Sequence, residues 1–432
     1  MLSISDSEKT VPGQFVLMVK PVGSSCNLRC GYCYYLDTAE VNDKELRPRM
    51  SDEVLEALIR QYIEAGPGPV VSFTWHGGEP VLAGLEFYRT AVKLQAKYLP
   101  EGWSCWNSLQ TNGTLLDDEW CVFLKENNFD VGLSLDGERW LHDKYRKDAA
   151  GNGTFDKVHA AAGLLQSYGI QPDLLCTVTA AAAKEPLSVY KSLRSLGTGW
   201  IQFIPIVRRT PEGGVSADTV SGEAYGRFLC EIFDEWILRD IGRTNVQIFA
   251  ETALMLSGGS TSLCSMSLVC GRALVAEQDG DIYSCDHFVT PEHRIGNIAD
   301  TDLRQLADSG MQEYFGMKKL KQLQLKCLEC SYLQLCGGGC PKDRFSSDIH
   351  GNEDLNYLCD GLFSFFERAQ DPLQQLAAMR KSGLSAAAAS SKFREQAAAE
   401  WKGIRRDDPC PCGSGRKAKQ CCWHKRVQLN EL

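Results

Sequence analysis

Short apolar runs alternate with amphipathic segments over the first half of the chain. The apolar runs predict strands, at Phe15–Val19, Val70–Trp75, Trp106–Gln110, Val131–Leu135, Leu174–Thr179 and Trp200–Ile206. The amphipathic segments predict helices, at Ser51–Ala65, Leu85–Tyr98, Asp117–Asn127, Phe155–Tyr168 and Pro186–Leu196. Strands that alternate with helices of this length build a parallel sheet. We therefore predict an α/β fold, a partial or full β/α barrel, with functional residues at the C-terminal ends of its strands.

The second half of the chain follows a different pattern. After a predicted bridging helix at Tyr225–Leu238, the sequence becomes rich in cysteine and glycine and loses its periodicity, as expected where metal replaces an apolar core. Ser385–Ala399 is rich in alanine and serine and predicts a helical or flexible linker, followed by a compact tail. The predicted domains are residues 1–240, 241–375, 376–400 and 401–432.

Composition narrows the class of protein. The 432 residues are 44% apolar and 23% charged, and no apolar run approaches the length of a bilayer span. The formal charge of −9 argues against a nucleic-acid-binding surface. The N-terminal residues have no apolar signal core, so we expect a cytoplasmic protein that binds neither membrane nor nucleic acid.

Nineteen cysteines are the most informative feature of the composition. In a reducing compartment, closely spaced cysteines indicate metal ligation rather than disulfides. Four stand alone in apolar segments and are interpreted as small buried side chains: Cys105, Cys121, Cys176 and Cys230. The other fifteen fall in recurrent ligand spacings.

Three of the fifteen, Cys26, Cys30 and Cys33, stand in one loop directly after the first predicted strand. Three thiolates leave one iron of a cluster open to bind a substrate or cofactor, whereas a zinc tetrahedron would be incomplete. Eight more occupy the C-terminal half, enough for two closed sets that only pass electrons on. Together these cysteines indicate radical redox chemistry.

The N-terminal loop resembles the radical S-adenosylmethionine (radical SAM) superfamily, in which the open iron binds the cofactor. Tyr32 before the third cysteine and the segment Gly77–Pro80 after a strand fit that pattern. The resemblance implies a partial (β/α)6 barrel, one 4Fe-4S cluster held by the trio, and S-adenosylmethionine. It also implies the following cofactor contacts: Tyr32, Gly78, Glu79, Ser134, Arg146 and Val207.

The eight later cysteines resemble the SPASM extension of radical SAM enzymes, which carries two auxiliary 4Fe-4S clusters. The resemblance assigns Cys264, Cys270, Cys285 and Cys340 to the first cluster. It assigns Cys327, Cys330, Cys336 and Cys359 to the second. Zinc ribbons are the alternative, since paired cysteines also build them.

Further segments narrow the resemblance to anaerobic sulfatase-maturating enzymes, which oxidise a cysteine or serine of a sulfatase to Cα-formylglycine. These segments are Ser108–Leu115, Gly132–Gly137 and the pair Cys285-Asp286. The resemblance implies that Asp286 is the proton acceptor and that the auxiliary clusters accept the electron. A turn-capping role is the alternative for Asp286.

The same resemblance implies that the peptide contacts Tyr35, His76 and Gln202, although His76 stands where related sequences carry glutamine. His287 is either a modulator of the pKa of Asp286 or a surface histidine.

The expected partners are a sulfatase polypeptide, unfolded or nascent, and a reductant of the flavodoxin or ferredoxin type. One alternative function is a SPASM maturase that crosslinks or epimerises a ribosomal peptide, but residues 1–14 are too short for the leader-binding domain that it would favour. A second alternative is a metal-stabilised adaptor in which the clusters are structural.

The tail resembles the SEC-C zinc motif, with four cysteines in one small loop: Cys410, Cys412, Cys421 and Cys422. His424 is an alternative to the last cysteine as a ligand, and a free thiol cluster is the alternative to zinc. A basic face in the tail is predicted to bind a partner, and comprises Arg405, Arg406, Arg416, Lys417 and Lys419.

Overall fold

The fold was examined in a computed structural model of the chain. The structure describes residues 15–35, 49–66, 68–347, 354–411, 415–423 and 426. In that part of the chain, none of the helices has the length and apolar character that crossing a membrane requires.

Ten strands form one large sheet, and two more form a small antiparallel ribbon. The strands of the large sheet are β1 (Val16–Val19), β2 (Val70–Trp75), β3 (Ser104–Thr111), β4 (Phe129–Ser134), β5 (Asp173–Val178), β6 (Trp200–Pro205), β7 (Asn245–Val246), β8 (Ala273–Ala276), β9 (Asp281–Tyr283) and β10 (Arg294–Asn297). The ribbon pairs β11 (Arg344–Ser346) with β12 (Leu355–Asn356).

Fourteen α-helices are present in the described residues. They are α1 (Asp52–Ala65), α2 (Leu85–Tyr98), α3 (Asp118–Glu126), α4 (Arg139–Tyr145), α5 (Phe155–Ser167), α6 (Pro186–Arg194), α7 (Gly222–Arg239), α8 (Gln247–Leu256), α9 (Leu303–Ala307), α10 (Gly310–Lys321), α11 (Leu325–Leu328), α12 (Leu333–Cys336), α13 (Cys359–Lys381) and α14 (Ala386–Glu400).

Strands β1 to β6 lie side by side in chain order and are parallel, which confirms the predicted partial barrel. Strand β2 and helix α2 have the predicted bounds. Ser51 caps α1 as expected, because its hydroxyl accepts a hydrogen bond from the Val54 amide at 3.3 Å. The C-terminal ends of the six strands therefore meet at one edge of the sheet.

The sheet continues beyond the six predicted strands at both edges. β7 pairs with β6, while β8 pairs parallel with β1 and leads into the antiparallel strands β9 and β10. These last three come from the cysteine-rich segment, so the predicted division between residues 240 and 241 separates stretches of chain that share one sheet. They have three or four residues each, too few for periodicity to mark them.

Two apolar cores flank the sheet. One packs α1, α2 and α9 beneath β1, β2 and β3, and the other joins β4, β5 and β6 to α7, α8, α13 and α14. Helices α7 and α13 approach so closely that a Cβ on Gly361 would lie 1.9 Å from the Gly222 carbonyl oxygen. Helix α14 covers the predicted linker and packs on this second core through Ala389 and Phe393.

Candidate active site

The cysteine loop after β1 is held against the turn that follows β2. The Gly78 amide donates to the Gly23 carbonyl oxygen at 2.9 Å, and the Glu79 amide donates to the Ser25 carbonyl oxygen at 2.8 Å. A Cβ on Gly78 would lie only 2.0 Å from that Ser25 oxygen, so glycine is required for this approach. The Gly-Gly-Glu-Pro segment therefore packs directly against the loop that carries Cys26 and holds it in place.

The three cysteines of this loop are partly exposed, and the loop follows the C-terminal end of β1. The Cys26 sulfur accepts a hydrogen bond from the Leu28 amide at 3.3 Å, and the Asn112 side-chain amide lies 3.8 Å from it. Arg208, beyond β6, donates to the Gly31 carbonyl oxygen at 2.8 Å and ties the loop across the barrel mouth.

The carboxylate of Glu79 is buried and is bound by its own chain. It accepts hydrogen bonds from the Thr111 hydroxyl at 2.7 Å, the Asn112 amide at 2.8 Å and the Val81 amide at 3.1 Å. Burial raises the pKa of Glu79 to about 7 although these three donors oppose the shift. Glu79 thus links the ends of β2 and β3, and its carboxyl group stays partly protonated near neutral pH.

Arg146 lies in a buried ion pair with Asp136 at the end of β4. Its Nε and Nη2 atoms lie 2.9 and 3.1 Å from the two carboxylate oxygens. The Tyr32 hydroxyl donates to the same carboxylate, and the Thr177 amide donates to it at 2.9 Å. Burial opposes ionisation of Asp136, but Arg146 and Tyr32 outweigh it and hold the pKa of that carboxyl below its usual range.

The other predicted cofactor contacts, and the predicted peptide contact Gln202, lie on β4 and β6 or just beyond them. Ser134, the last residue of β4, accepts a hydrogen bond from the Gln110 side chain at 3.1 Å. Val207 is buried just beyond β6, and Gln202 is half-buried within that strand. Asp136 was not predicted as a site residue, although a carboxylate directly after a barrel strand was a usable signal.

A second polar centre surrounds Asp286, next to the cysteine loop. Its carboxylate accepts hydrogen bonds from the Tyr34 hydroxyl and, at 2.8 Å, from the Tyr35 hydroxyl. The Tyr35 hydroxyl also lies 3.2 Å from Nδ1 of His76, which accepts the Gly77 amide at 2.8 Å. The three predicted residues Tyr35, His76 and Asp286 therefore meet in one network.

Lys20 supplies the cation of this centre and was missed by the sequence reasoning. Its ammonium lies 2.8 Å from the Asp286 carboxylate and 3.0 Å from the Glu277 carboxylate. Burial disfavours ionisation of Asp286, but Lys20, His76 and His287 outweigh it, so the pKa of Asp286 lies well below its ordinary value. His287 itself is exposed and packs its ring on Tyr34.

The eight later cysteines gather in two groups of four. One cavity is lined by Cys264, Cys270, Cys285 and Cys340. A second cavity is lined by Cys327, Cys330, Cys336 and Cys359. These are the two sets that the resemblance assigned, and Asp286 follows directly on a cysteine of the first set.

The spacing of the sulfur atoms differs between the tail and the other cysteine sets. Thiolates that share one zinc ion at about 2.3 Å lie roughly 4 Å apart. Among the described residues, three sulfurs lie within 4.8 Å of one another only at Cys410, Cys421 and Cys422. The wider spacing in the other cysteine sets fits clusters, in which each thiolate binds a different iron.

Comparisons with known proteins agree with this arrangement. The family model of the radical SAM superfamily matches residues 21–182, and that of the iron–sulfur cluster-binding SPASM domain matches residues 264–331. A serine-type anaerobic sulfatase-maturating enzyme of Bacteroides thetaiotaomicron is 43% identical over 81% of this chain and 88% of its own. The chain belongs to the anaerobic sulfatase-maturating enzymes.

Other relatives of this radical SAM enzyme support the same family. A cysteine-type anaerobic sulfatase-maturating enzyme of Clostridium perfringens is 36% identical over 82% of this chain and 95% of its own. The solved structure of native anSMEcpe with bound AdoMet and Cp18Cys peptide superposes with a TM-score of 0.77 at 35% identity, covering 84% of this chain and 98% of that one. Streptococcus suis SuiB bound to the precursor peptide SuiA shares the fold, with a TM-score of 0.55 at 16% identity over 76% of this chain and 72% of that one.

The tail of the enzyme matches the SEC-C motif over residues 407–423. Its described part holds Cys410 beside Cys421 and Cys422, with Trp401 and Trp423 packed edge to face as apolar cover. Cys412 and His424, the other predicted ligands, lie outside the described residues.

Proposed function

We propose that this radical SAM enzyme oxidises a cysteine or serine side chain of a sulfatase polypeptide to Cα-formylglycine. One observation carries the proposal: the Asp286 carboxylate lies between the loop of the first three cysteines and the first set of four. It is held from the loop side by the Tyr34 and Tyr35 hydroxyls and is bonded through the chain to Cys285. The structure of anSMEcpe with bound AdoMet and Cp18Cys peptide supports a peptide substrate for this chain.

The residues that would hold the cofactors are those already grouped by the structure. Cys26, Cys30 and Cys33 would bind the first 4Fe-4S cluster, and the two sets of four would each bind an auxiliary one. When bound, the first cluster and S-adenosylmethionine supply the 5′-deoxyadenosyl radical, and the auxiliary clusters supply an electron acceptor. The buried glutamate and the Asp136–Arg146 pair would line the cofactor site together with Ser134 and Val207.

The overall oxidation removes two hydrogens from the target side chain. The β-carbon loses a hydrogen atom, the hydroxyl or thiol proton passes to Asp286, and one electron leaves toward the auxiliary centres. A serine becomes the aldehyde directly, whereas a cysteine becomes a thioaldehyde that water converts to the aldehyde and hydrogen sulfide. Lys20 keeps Asp286 ionised, so the carboxylate has a free position for a proton, and the lowered pKa means that it holds that proton only weakly and can pass it on.

The neighbours of Asp286 orient it for this task. Lys20 holds one carboxylate oxygen, while Tyr34 and Tyr35 hold the other, so the group is fixed between two elements distant in sequence. His76 would act through Tyr35 rather than directly, since its ring nitrogen faces that hydroxyl. The target side chain would enter beside Tyr35 and Gln202.

Replacing Asp286 with asparagine tests the proton-acceptor role. We expect Asp286→Asn to cleave S-adenosylmethionine on reduction but to lose aldehyde formation by roughly a hundredfold or more, since the amide accepts no proton. The measurement is mass spectrometry of a Cys- and a Ser-containing sulfatase peptide, together with quantification of 5′-deoxyadenosine.

The matched control is Cys30→Ala, for which we expect both 5′-deoxyadenosine and aldehyde to be lost. Normal aldehyde yield from Asp286→Asn would remove Asp286 from the reaction. Persistent cofactor cleavage in Cys30→Ala would instead contradict the role of the first cysteine loop.

We further propose that the enzyme works in the cytoplasm on unfolded or nascent sulfatase, with a reductant of the flavodoxin or ferredoxin type. Support comes from the cysteines, none of which forms a disulfide in the described part of the chain. The SEC-C tail would bind one zinc ion through Cys410, Cys412, Cys421 and Cys422, and its basic residues would contact a partner.

A further inference from the structure

Lys319, on α10, is a fully buried cation against the segment that carries Cys264, a cysteine of the first set of four. Only 1% of the residue is exposed. Its ammonium donates to the carbonyl oxygens of Cys264 at 2.8 Å, Ser265 at 3.0 Å and Ser267. Burial lowers the pKa of Lys319, but the three N–H donors of its ammonium group meet three acceptors, which is the arrangement that suits the charged form.

Arg344, at the start of β11, is a second buried cation, and it contacts Lys319. Its Nη1 donates to the Lys319 carbonyl oxygen at 2.6 Å, and its Nε donates to the Gly338 carbonyl oxygen at 3.0 Å. Its Nη2 lies 3.3 Å from the Gly337 carbonyl oxygen. An arginine side chain stays protonated in proteins, so this charge is permanent.

The carboxylates of the described residues neutralise neither cation. Within the described residues, no aspartate or glutamate oxygen lies within 4.0 Å of the Lys319 ammonium or the Arg344 guanidinium. The acidic groups that face them are thiols. Lys319 faces Cys270, Cys264 and Cys340 of the first set. Arg344 faces cysteines of both sets, namely Cys327, Cys270, Cys336 and Cys340.

The local backbone is built around Arg344. The turn Gly337–Gly339 joins Cys336 of the second set to Cys340 of the first, and its glycines have φ of 57°, 73° and 68°. A Cβ on Gly338 would lie 2.5 Å from Nη2 of Arg344. The guanidinium is therefore fixed against the segment of chain that links the two cavities.

We propose that Lys319 and Arg344 are fixed counter-charges for the two auxiliary centres, which raise the reduction potentials of those centres and so make them electron acceptors. Buried positive charge without a carboxylate partner is costly unless another anion compensates it, and clusters bound by four thiolates are anionic. Adding an electron increases that negative charge, so a nearby cation stabilises the reduced form. This inference rests on the proposed function, which requires an electron to leave the substrate toward these centres.

The test measures reduction potentials rather than turnover. The parent protein carries Cys26→Ala, Cys30→Ala and Cys33→Ala, so only the two auxiliary sets are reconstituted with iron and sulfide. We expect Arg344→Gln to weaken reduction of both centres at least tenfold, a shift of about 59 mV to lower potential for one electron. We expect Lys319→Gln to lower the reduction potential of the first centre more than that of the second. The first centre is the one held by Cys264, Cys270, Cys285 and Cys340. The readout is a reductive titration followed by electron paramagnetic resonance, without S-adenosylmethionine or peptide.

Arg344→Lys is the matched control, because it keeps the charge and changes the hydrogen bonds. The equilibrium constants for reduction of its two centres should stay within about threefold of those of the parent. Full iron content with unmoved potentials in both glutamine variants would overturn this inference and leave the proposed function standing. If Arg344→Gln fails to hold iron, retention of iron by Arg344→Lys supports the role of the charge, and loss of iron from both overturns it. A parent that binds zinc in place of iron would overturn the proposed function as well.

Discussion

At the scale of single residues, the sequence identified candidate catalytic and peptide-binding residues but not their ion-pair partners. The family resemblance implied that Asp286, directly after Cys285, is the proton acceptor, and that Tyr35 and His76 contact the peptide. The structure joins all three, yet the cation that controls Asp286 is Lys20, from the end of β1. A buried pair between residues so distant in sequence depends on the sheet that brings β8 next to β1, and no local pattern records it.

Removal of Lys20 should uncouple cofactor cleavage from peptide oxidation. In Lys20→Met, the carboxylates of Asp286 and Glu277 remain buried without their shared cation, and one of them takes up a proton. We expect aldehyde formed per 5′-deoxyadenosine to fall by roughly tenfold or more, since Asp286 loses the cation that keeps it ionised and holds one of its oxygens in place. The control is Lys93→Met, at an exposed lysine of α2. An unchanged product ratio in Lys20→Met would show that the ion pair is only structural.

The raised pKa of Glu79 makes cofactor affinity depend on pH if this carboxylate contacts the cofactor's ammonium group. Glu79 has a pKa of about 7 in the protein without cofactor, so below pH 7 it must release a proton before it can pair with a cation. The Kd for S-adenosylmethionine should therefore rise toward tenfold for each pH unit between 7 and 5.5. Equilibrium dialysis of the reconstituted enzyme provides the measurement. In Glu79→Gln the Kd for S-adenosylmethionine should be larger and should not change with pH over this range. A wild-type Kd that is independent of pH would exclude the contact.

At the scale of elements, the alternating half of the chain was predictable and the cysteine-rich half was not. β2 and α2 have the predicted bounds because a β-rich apolar run and a helical hydrophobic period mark these two segments. The short strands β8, β9 and β10 were missed because they carry no amphipathic helix between them. The 23-residue helix α13 was also missed, since it begins at the predicted ligand Cys359 and carries Pro372 inside its apolar pattern.

The contact between Gly78 and the cysteine loop allows an element-scale test. In Gly78→Ala, the new methyl group would overlap the Ser25 carbonyl oxygen, so the loop must move away from the end of β2. We expect cofactor cleavage to fall by at least about tenfold, while iron in the two auxiliary sets is retained, because a displacement of about 1 Å at a catalytic site is already costly. Gly163→Ala in α5 is the control, since its Cβ would meet no atom within 4 Å. Wild-type cleavage in Gly78→Ala would show that the loop is not seated by this contact.

At the scale of the whole molecule, one sheet carries both halves of the proposed chemistry. The cysteine loop follows β1, and Asp286 follows the hairpin of β8 and β9, which pairs with β1 on its other side. The radical SAM and SPASM resemblance predicted the two cysteine-rich regions, but their fusion into a ten-stranded sheet came only from the structure. The distance between the first loop and the first four-cysteine cavity is therefore fixed by strand pairing rather than by a flexible domain joint.

The tail stands apart from this arrangement, and truncation should separate it from the helix that precedes it. Trp401 packs with Cys410 and Ala418 in a small cluster of its own, whereas Phe393 of α14 belongs to the main core. A chain that ends at Glu400 should lose its zinc and keep its iron content, cofactor cleavage and thermal stability. A chain that ends at Ser385 also loses the buried Phe393 and Ala389, which should cost roughly 3–5 kcal/mol. Metal analysis and thermal unfolding of the reconstituted proteins measure both effects. A large loss of stability in the chain that ends at Glu400 would contradict the independence of the tail. The apolar residues around Trp401 would then contribute to the core that supports the barrel.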